Sequence, residues 1–316
     1  MKRVIFLLIF LLLFSGCQKT NLPVNAPPLS TPSVISEKHA PIMASRPDLD
    51  NRLIKDIKDT VIIKGISYFQ EKEYNKALEE FQRAMKTNKT DSYFYYAALR
   101  LSGTSYFNLN KYNEAIECYN SAAKLYPDDD LNYFYLGLIY HKQNMLNPAI
   151  KNFQKSLKLN PEQAKIYYNL GNIYKDKKEF EKALEYYRKA IQVDENYLNA
   201  YYNTGCIYYE LKDMEKSNEF YLKTLKINSN HIYSHYNLGL NYSEIKKYDK
   251  SINEFHEVVR IDPNYIEVYY DFGVSYYNLN NKVESLKYFK DYISKTEKES
   301  PWVQEAQNYI NKLEEK

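Results

Sequence analysis

Seven of the chain's eight glycines form a ladder: Gly65, Gly103, Gly137, Gly171, Gly205, Gly239 and Gly273, spaced by 38 and then by 34 five times. Three residues after each stands a tyrosine, from Tyr68 to Tyr276. Twelve after each stands a small residue: Ala77, Ala115, Ala149, Ala183, Ser217, Ser251 and Ser285. Sixteen after each stands an aromatic: Phe81, Tyr119, Phe153, Tyr187, Tyr221, Phe255 and Phe289. Each period reads as two amphipathic helices joined by a polar turn, such as Lys-Asp-Lys-Lys-Glu at 175–179. Glycine inside a helix costs about 1 kcal/mol relative to alanine. Accepting that cost seven times requires a packing reason. The expectation is that each glycine faces the small residue twelve positions later, so that two helix backbones approach closely with aromatics on either side. A 34-residue period also removes the inference of about two globular domains from 316 residues, because each unit touches only its neighbours.

These spacings resemble the tetratricopeptide repeat over about residues 58–295. The tryptophan frequent early in that motif is replaced by Tyr167, Tyr201, His235 and Tyr269. The resemblance implies an all-α fold, a right-handed superhelical solenoid of seven helix–turn–helix repeats over 50–299. A capping helix follows over 300–316, with Ser300 as N-cap, Pro301 in the first turn, and Val303, Ala306, Ile310 and Leu313 on the last repeat. The longer first interval predicts a loop that bulges near Thr87–Ser92. Nineteen after each glycine the side chain grows along the chain, from Ala84 to Thr224, Val258 and Tyr292, which predicts looser or re-angled packing.

The first residues differ in character. MKRVIFLLIFLLLFSGC has a basic start (Lys2, Arg3), an apolar run over Val4–Phe14 and small residues before Cys17. The run is too short to span a hydrocarbon core of about 30 Å, and has signal-peptide anatomy; the rival is an uncleaved anchor. Phe14-Ser15-Gly16-Cys17 resembles the lipobox of bacterial lipoproteins, with Phe14 where leucine is usual. That resemblance implies a signal peptide over 1–16, removed before a lipid-modified Cys17. Residues 17–49 are rich in proline and polar residues and read as a disordered tether. The expected location is the cell envelope, lipid-anchored to a membrane with the repeat body extracytoplasmic. The net charge of +3 gives no footprint for nucleic acid.

On the first helix of each repeat, the stripe with Tyr167, Leu170, Gly171 and Tyr174 reads as core-facing. Tyr168, Asn169 and Asn172 read as lying outside it. Two before the glycine stand Asn169, Asn203, Asn237 and Asp271; three before it stand Tyr168, Tyr202, Tyr236 and Tyr270. In the family this face lines a concave groove, so these eight residues are the candidate peptide-binding ladders. The asparagines resemble the ladder in the repeat domain of O-linked N-acetylglucosamine transferase, and their amides pair with a peptide backbone. On this reading the amides are hydrated in the free protein, and Ala at Asn169, Asn203 and Asn237 changes stability little. The earlier repeats carry Ile63, Leu101 and Tyr135, a more apolar groove. A carbohydrate-binding module that stacks sugars on the same tyrosines is the rival reading.

The family's carboxylate clamp is matched only in fragments by Arg100, Lys165 and Asn169, and is not expected. His231 and His235 share a helix face without a third metal ligand. Cys118 and Cys206 lie in different repeats, too far apart for a disulfide, and Cys206 is expected to face the groove. No catalytic constellation, metal or cofactor is expected. The expected role is a membrane-anchored adaptor for a protein segment in an envelope assembly or secretion complex.

Overall fold

The computed structural model describes residues 59–87, 92–296 and 300–315. The signal segment, Cys17 and the proline-rich stretch lie outside the described residues. Within them the chain forms fifteen helices and no strand. Two compact units divide them, one ending at Ile207 and the other starting at Tyr208.

In the first unit, α1 (Thr60–Gln70) pairs with α2 (Tyr74–Thr87), α3 (Ser92–Asn108) with α4 (Tyr112–Leu125), α5 (Asp130–Lys142) with α6 (Leu146–Leu159), and α7 (Ala164–Asp176) with α8 (Phe180–Val193). Each hairpin packs on the next through its second helix. The division falls inside α9 (Leu198–Glu210). The second unit continues with α10 (Met214–Ile227), α11 (Ile232–Glu244), α12 (Tyr248–Ile261), α13 (Glu267–Asn278) and α14 (Lys282–Lys295). There α11 pairs with α12 and α13 with α14, and α15 (Pro301–Glu314) closes on α14 and α13.

The glycine ladder has a different partner from the one the spacing suggested. A Cβ at Gly171 would stand 2.5 Å from Tyr187 Cδ1, and one at Gly137 would stand 2.6 Å from Phe153 Cδ1. Gly65, Gly103, Gly239 and Gly273 meet Phe81, Tyr119, Phe255 and Phe289 in the same way. At each of these six glycines the aromatic sixteen residues later closes the space, and it is this ring, more than the small residue at twelve, that excludes a side chain. The six rings are fully buried, so they have nowhere to go.

The first helix of each hairpin ends in a left-handed residue seven positions after the glycine: Lys72, Asn110, Asn144, Lys178, Lys212, Lys246 and Asn280 all have φ between 57° and 64°. At α7 the Lys178 amide donates to the Lys175 carbonyl at 2.8 Å and Glu179 to Tyr174 at 2.9 Å, a Schellman closure. Glycine is the residue that takes this conformation without a Cβ penalty. Lys178→Gly is therefore expected to raise stability by about 0.5–1 kcal/mol, net of the extra freedom glycine gives the unfolded chain. Urea unfolding followed by circular dichroism reads it.

Two local expectations change. The four extra residues of the first interval lengthen a helix: α3 starts eleven residues before its glycine, where α5, α7, α9 and α11 start seven before theirs. Four residues are close to one helical turn, so the added turn keeps the core stripe in phase; residues 88–91 lie outside the description. The growing side chains at position nineteen do not loosen the core, since Thr224, Val258 and Tyr292 are all buried. Tyr292 packs edge-on to Tyr270 with centroids 5.6 Å apart. At α15, Ser300 occupies the N-cap position with no side-chain cap bond; its hydroxyl lies 3.4 Å from Tyr292 Oη. Ala306, Ile310 and Leu313 are buried, together with Tyr309, which stacks on Phe289 at 4.9 Å.

Candidate functional site

The ladder residues sit inside the helix layer. Asn169 and Asn203 are each 1% exposed, Asn237 and Asp271 are 2% exposed, and Tyr168, Tyr202, Tyr236 and Tyr270 are 3% exposed or less. The expectation of a hydrated face at these positions fails. In a stack of hairpins a first helix is flanked by its own partner and by both neighbouring repeats. Tyr168 and Asn169 therefore face protein on the side that a single amphipathic helix would leave open.

Burial obliges these polar atoms to find partners, and they find one another. In the first unit the Asn203 amide donates to Asn172 Oδ1 at 3.0 Å, to Tyr168 Oη at 3.2 Å and to Tyr187 Oη at 3.4 Å. Tyr187 donates to the same Asn172 oxygen at 2.7 Å. Side chains from α7, α8 and α9 thus close one network. The second unit repeats its parts: Tyr236 donates to Asp271 at 2.8 Å, and Asn237 donates to Tyr221 Oη at 3.3 Å.

The network varies with the aromatic sixteen residues after the preceding glycine. Against the hydroxyls of Tyr187 and Tyr221 the next repeat places an asparagine. After Phe153 there is no hydroxyl, and Asn169 turns its amide to the Lys165 carbonyl of its own helix at 2.7 Å. After Tyr119 stands Tyr135, stacked at 5.1 Å, while Thr104 meets the Tyr119 hydroxyl at 2.8 Å. After Phe81 stands Leu101, buried and apolar. Ile63 alone of the three earlier residues is exposed. A second pairing joins Ser217 to Asn241 at 2.9 Å and Ser251 to Ser275 at 3.3 Å, replacing the alanine and isoleucine of α6–α9.

The remaining candidates are also occupied. Arg100 is buried, its guanidinium 3.2 Å from Asp129, which also accepts from Tyr96; it is not presented to a ligand carboxylate. Buried among these groups, the Tyr96 phenol is pushed well above its usual range. Cys206 is buried instead of facing a groove, and neither Cys118 nor Cys206 is in a disulfide. Burial pushes the Cys118 thiol up to about 12, leaving it a poor nucleophile at neutral pH. Among the described residues no cluster of three or more His, Cys, Asp or Glu could hold a metal ion.

Sugar stacking needs an open ring face. The ladder tyrosines offer none. Tyr174 and Tyr186 are half-buried and stacked on each other at 5.3 Å, with the Lys182 ammonium 5.2 Å from the Tyr174 ring centre and that of Lys189 5.3 Å from the Tyr186 ring centre. One turn before the ladder the first helices keep an accessible row: Leu131, Lys165 and Asn199 in the first unit, and Tyr233 and Glu267 in the second.

Among the described residues, helical hairpins joined by buried inter-repeat contacts make an arrangement suited to protein–protein interaction. The models named tetratricopeptide repeat match residues 164–197 and 198–231, and the TPR repeat model matches 103–144, 142–178 and 241–280. The chain belongs to the tetratricopeptide-repeat proteins. Among solved structures it is similar to MamA (24% identity over 54% of this chain and 92% of that one, TM-score 0.50). It is similar to YrrB, described as a TPR protein with an unusual peptide-binding site (20% identity, 61% and 99% covered, TM-score 0.54). It is also similar to the C-terminal part of a TPR repeat-containing protein from Cytophaga hutchinsonii (17% identity, 77% and 98% covered, TM-score 0.65). These likenesses show the shared fold. No curated protein matches the chain.

Proposed function

We propose that this chain is a lipid-anchored scaffold of a bacterial cell envelope that holds a segment of another protein against its first helices. The observation that carries the reading is the buried, mutually bonded ladder. It stiffens the layer, so a partner meets a preformed surface and little ordering entropy is lost on binding. The contacting atoms then come from the row beside the ladder, Leu131, Lys165 and Asn199 in one unit and Tyr233 and Glu267 in the other. YrrB's described peptide-binding site is consistent with such a use of this fold. Anchoring rests on the lipobox-like Phe-Ser-Gly-Cys, and two or more acyl chains at Cys17 would hold the chain at a membrane stably. The anchor raises the partner's local concentration there.

Photo-crosslinkers at Asn199 and Tyr233 in the native host should capture a protein that one at Glu185, on the outer face of α8, does not. Capture at Glu185 alone would sink the reading. For the anchor, Cys17→Ala should abolish metabolic palmitate incorporation and release the body from the membrane fraction. Unchanged labelling and fractionation would remove lipid attachment from the account.

A further inference from the structure

His231 stands at the N-cap of α11 and His235 one turn further on, and their hydrogen bonds demand opposite protonation states. His231 Nδ1 accepts from the Ser234 amide at 3.2 Å, so that nitrogen carries a lone pair. His235 Nδ1 lies 2.7 Å from Glu254 Oε2, and its Nε2 lies 3.1 Å from the Ser229 carbonyl oxygen. A carboxylate and a carbonyl only accept. An imidazole ring serves both at once only when both its nitrogens bear protons. We propose that the His235 imidazolium is a pH-sensitive latch that helps pin the turn between α10 and α11 to α12, and that loss of its proton loosens that turn.

The groups around the ring favour this state. From α12 come Glu254 and Glu257, the latter tied to Arg260 at 2.7 Å. Arg260 also donates to Asn230 in the same turn at 2.9 Å. From α13, Asp271 is engaged by the Tyr236 hydroxyl and is not among the charges acting on the ring. The buried face of α10 carries the uncharged Ser217, Asn218, Tyr221 and Thr224. Burial pulls the His235 pKa down, but the bonds to Glu254 and Ser229 outweigh it, and the net shift is upward from 6.5. Burial and the neighbouring His235 charge hold His231 down to about 4.

The signs are opposite. His235, with a raised folded pKa, contributes stability fully below about 6.5 and loses it as pH rises through that raised value. His231, with a depressed folded pKa, costs stability as pH falls from about 6.5 towards 4. The turn is tightest near pH 6.5 and opens on the alkaline side as His235 titrates. A neutral ring would point a lone pair either at the Glu254 carboxylate or at the Ser229 oxygen, and one of the two bonds is lost.

The test uses the full chain, with ring-proton NMR titration and hydrogen exchange of the 230–234 amides from pH 5 to 9, corrected for intrinsic exchange. His235 should titrate above 6.5, and amide protection should fall as it does, by about tenfold for each unit of upward shift. In His235→Gln, which keeps one neutral donor, that pH-dependent fall should vanish. In Glu254→Gln the His235 titration should move down, an arm that stands even if the glutamine variant folds poorly. A His235 titration at or below 6.5, or the same fall in protection in His235→Gln, overturns the latch.

Discussion

Gly171→Leu is expected to lower the stability of the first unit by about 3 kcal/mol or more. The isolated helix would favour the change by about 1 kcal/mol. The site does not: a Cβ here enters the Tyr187 ring, with Cδ1 at 2.5 Å. That ring is fully buried and its hydroxyl is bonded to Asn172, so it cannot swing aside without breaking the network it serves. Overpacking usually costs about 1–3 kcal/mol, and more where the obstacle is rigid. Urea unfolding of the single variant gives the loss. Adding Tyr187→Ala should return part of it, because the second change removes the obstacle. A Leu variant as stable as the parent, or one that Tyr187→Ala makes only worse, would mean the ring is not the reason for the glycine.

Much of the architecture was legible in the chain because the signal is repeated. The glycine, the aromatic at sixteen and the small residue at twelve mark both helices of every hairpin, and the hairpins appear where those marks fall. What failed was one-helix reasoning. Helical periodicity identifies the side of a helix that faces its own partner, and by that test Tyr168 and Asn169 look exposed. It is silent about a face covered by the next repeat 34 residues away. The same limit misled the glycine assignment, since spacing alone does not say which of two residues on the facing helix lies closer. A partial signal for the network was nevertheless present: Tyr187 and Tyr221 each precede an asparagine one repeat on, although Phe153 also precedes Asn169 and Tyr119 precedes Tyr135, so the pairing is not a rule of the sequence. A buried hydroxyl and a buried amide that appear together are a pair. The left-handed tips were hidden for another reason, because lysine and asparagine stand where glycine would have announced the turn.

The central claim is that the asparagine ladder is a seam between repeats, and the comparison of Asn203→Ala with Asn169→Ala tests it most directly. Asn203 reaches Tyr168, Asn172 and Tyr187, and its removal takes a donor from buried oxygens of two other helices. Leaving such groups short of a partner costs about 1–3 kcal/mol, and the cavity adds to that. A loss of about 3 kcal/mol is therefore predicted for Asn203→Ala. Asn169 donates only to the Lys165 carbonyl of its own helix, a group that also receives the helix's own hydrogen bond. Its removal should cost about 1 kcal/mol. Urea unfolding of the two variants, side by side, should show Asn203→Ala less stable by about 2 kcal/mol. Equal and small losses for both, accompanied by weaker capture of the crosslinked partner, would contradict the seam and return these amides to a binding surface.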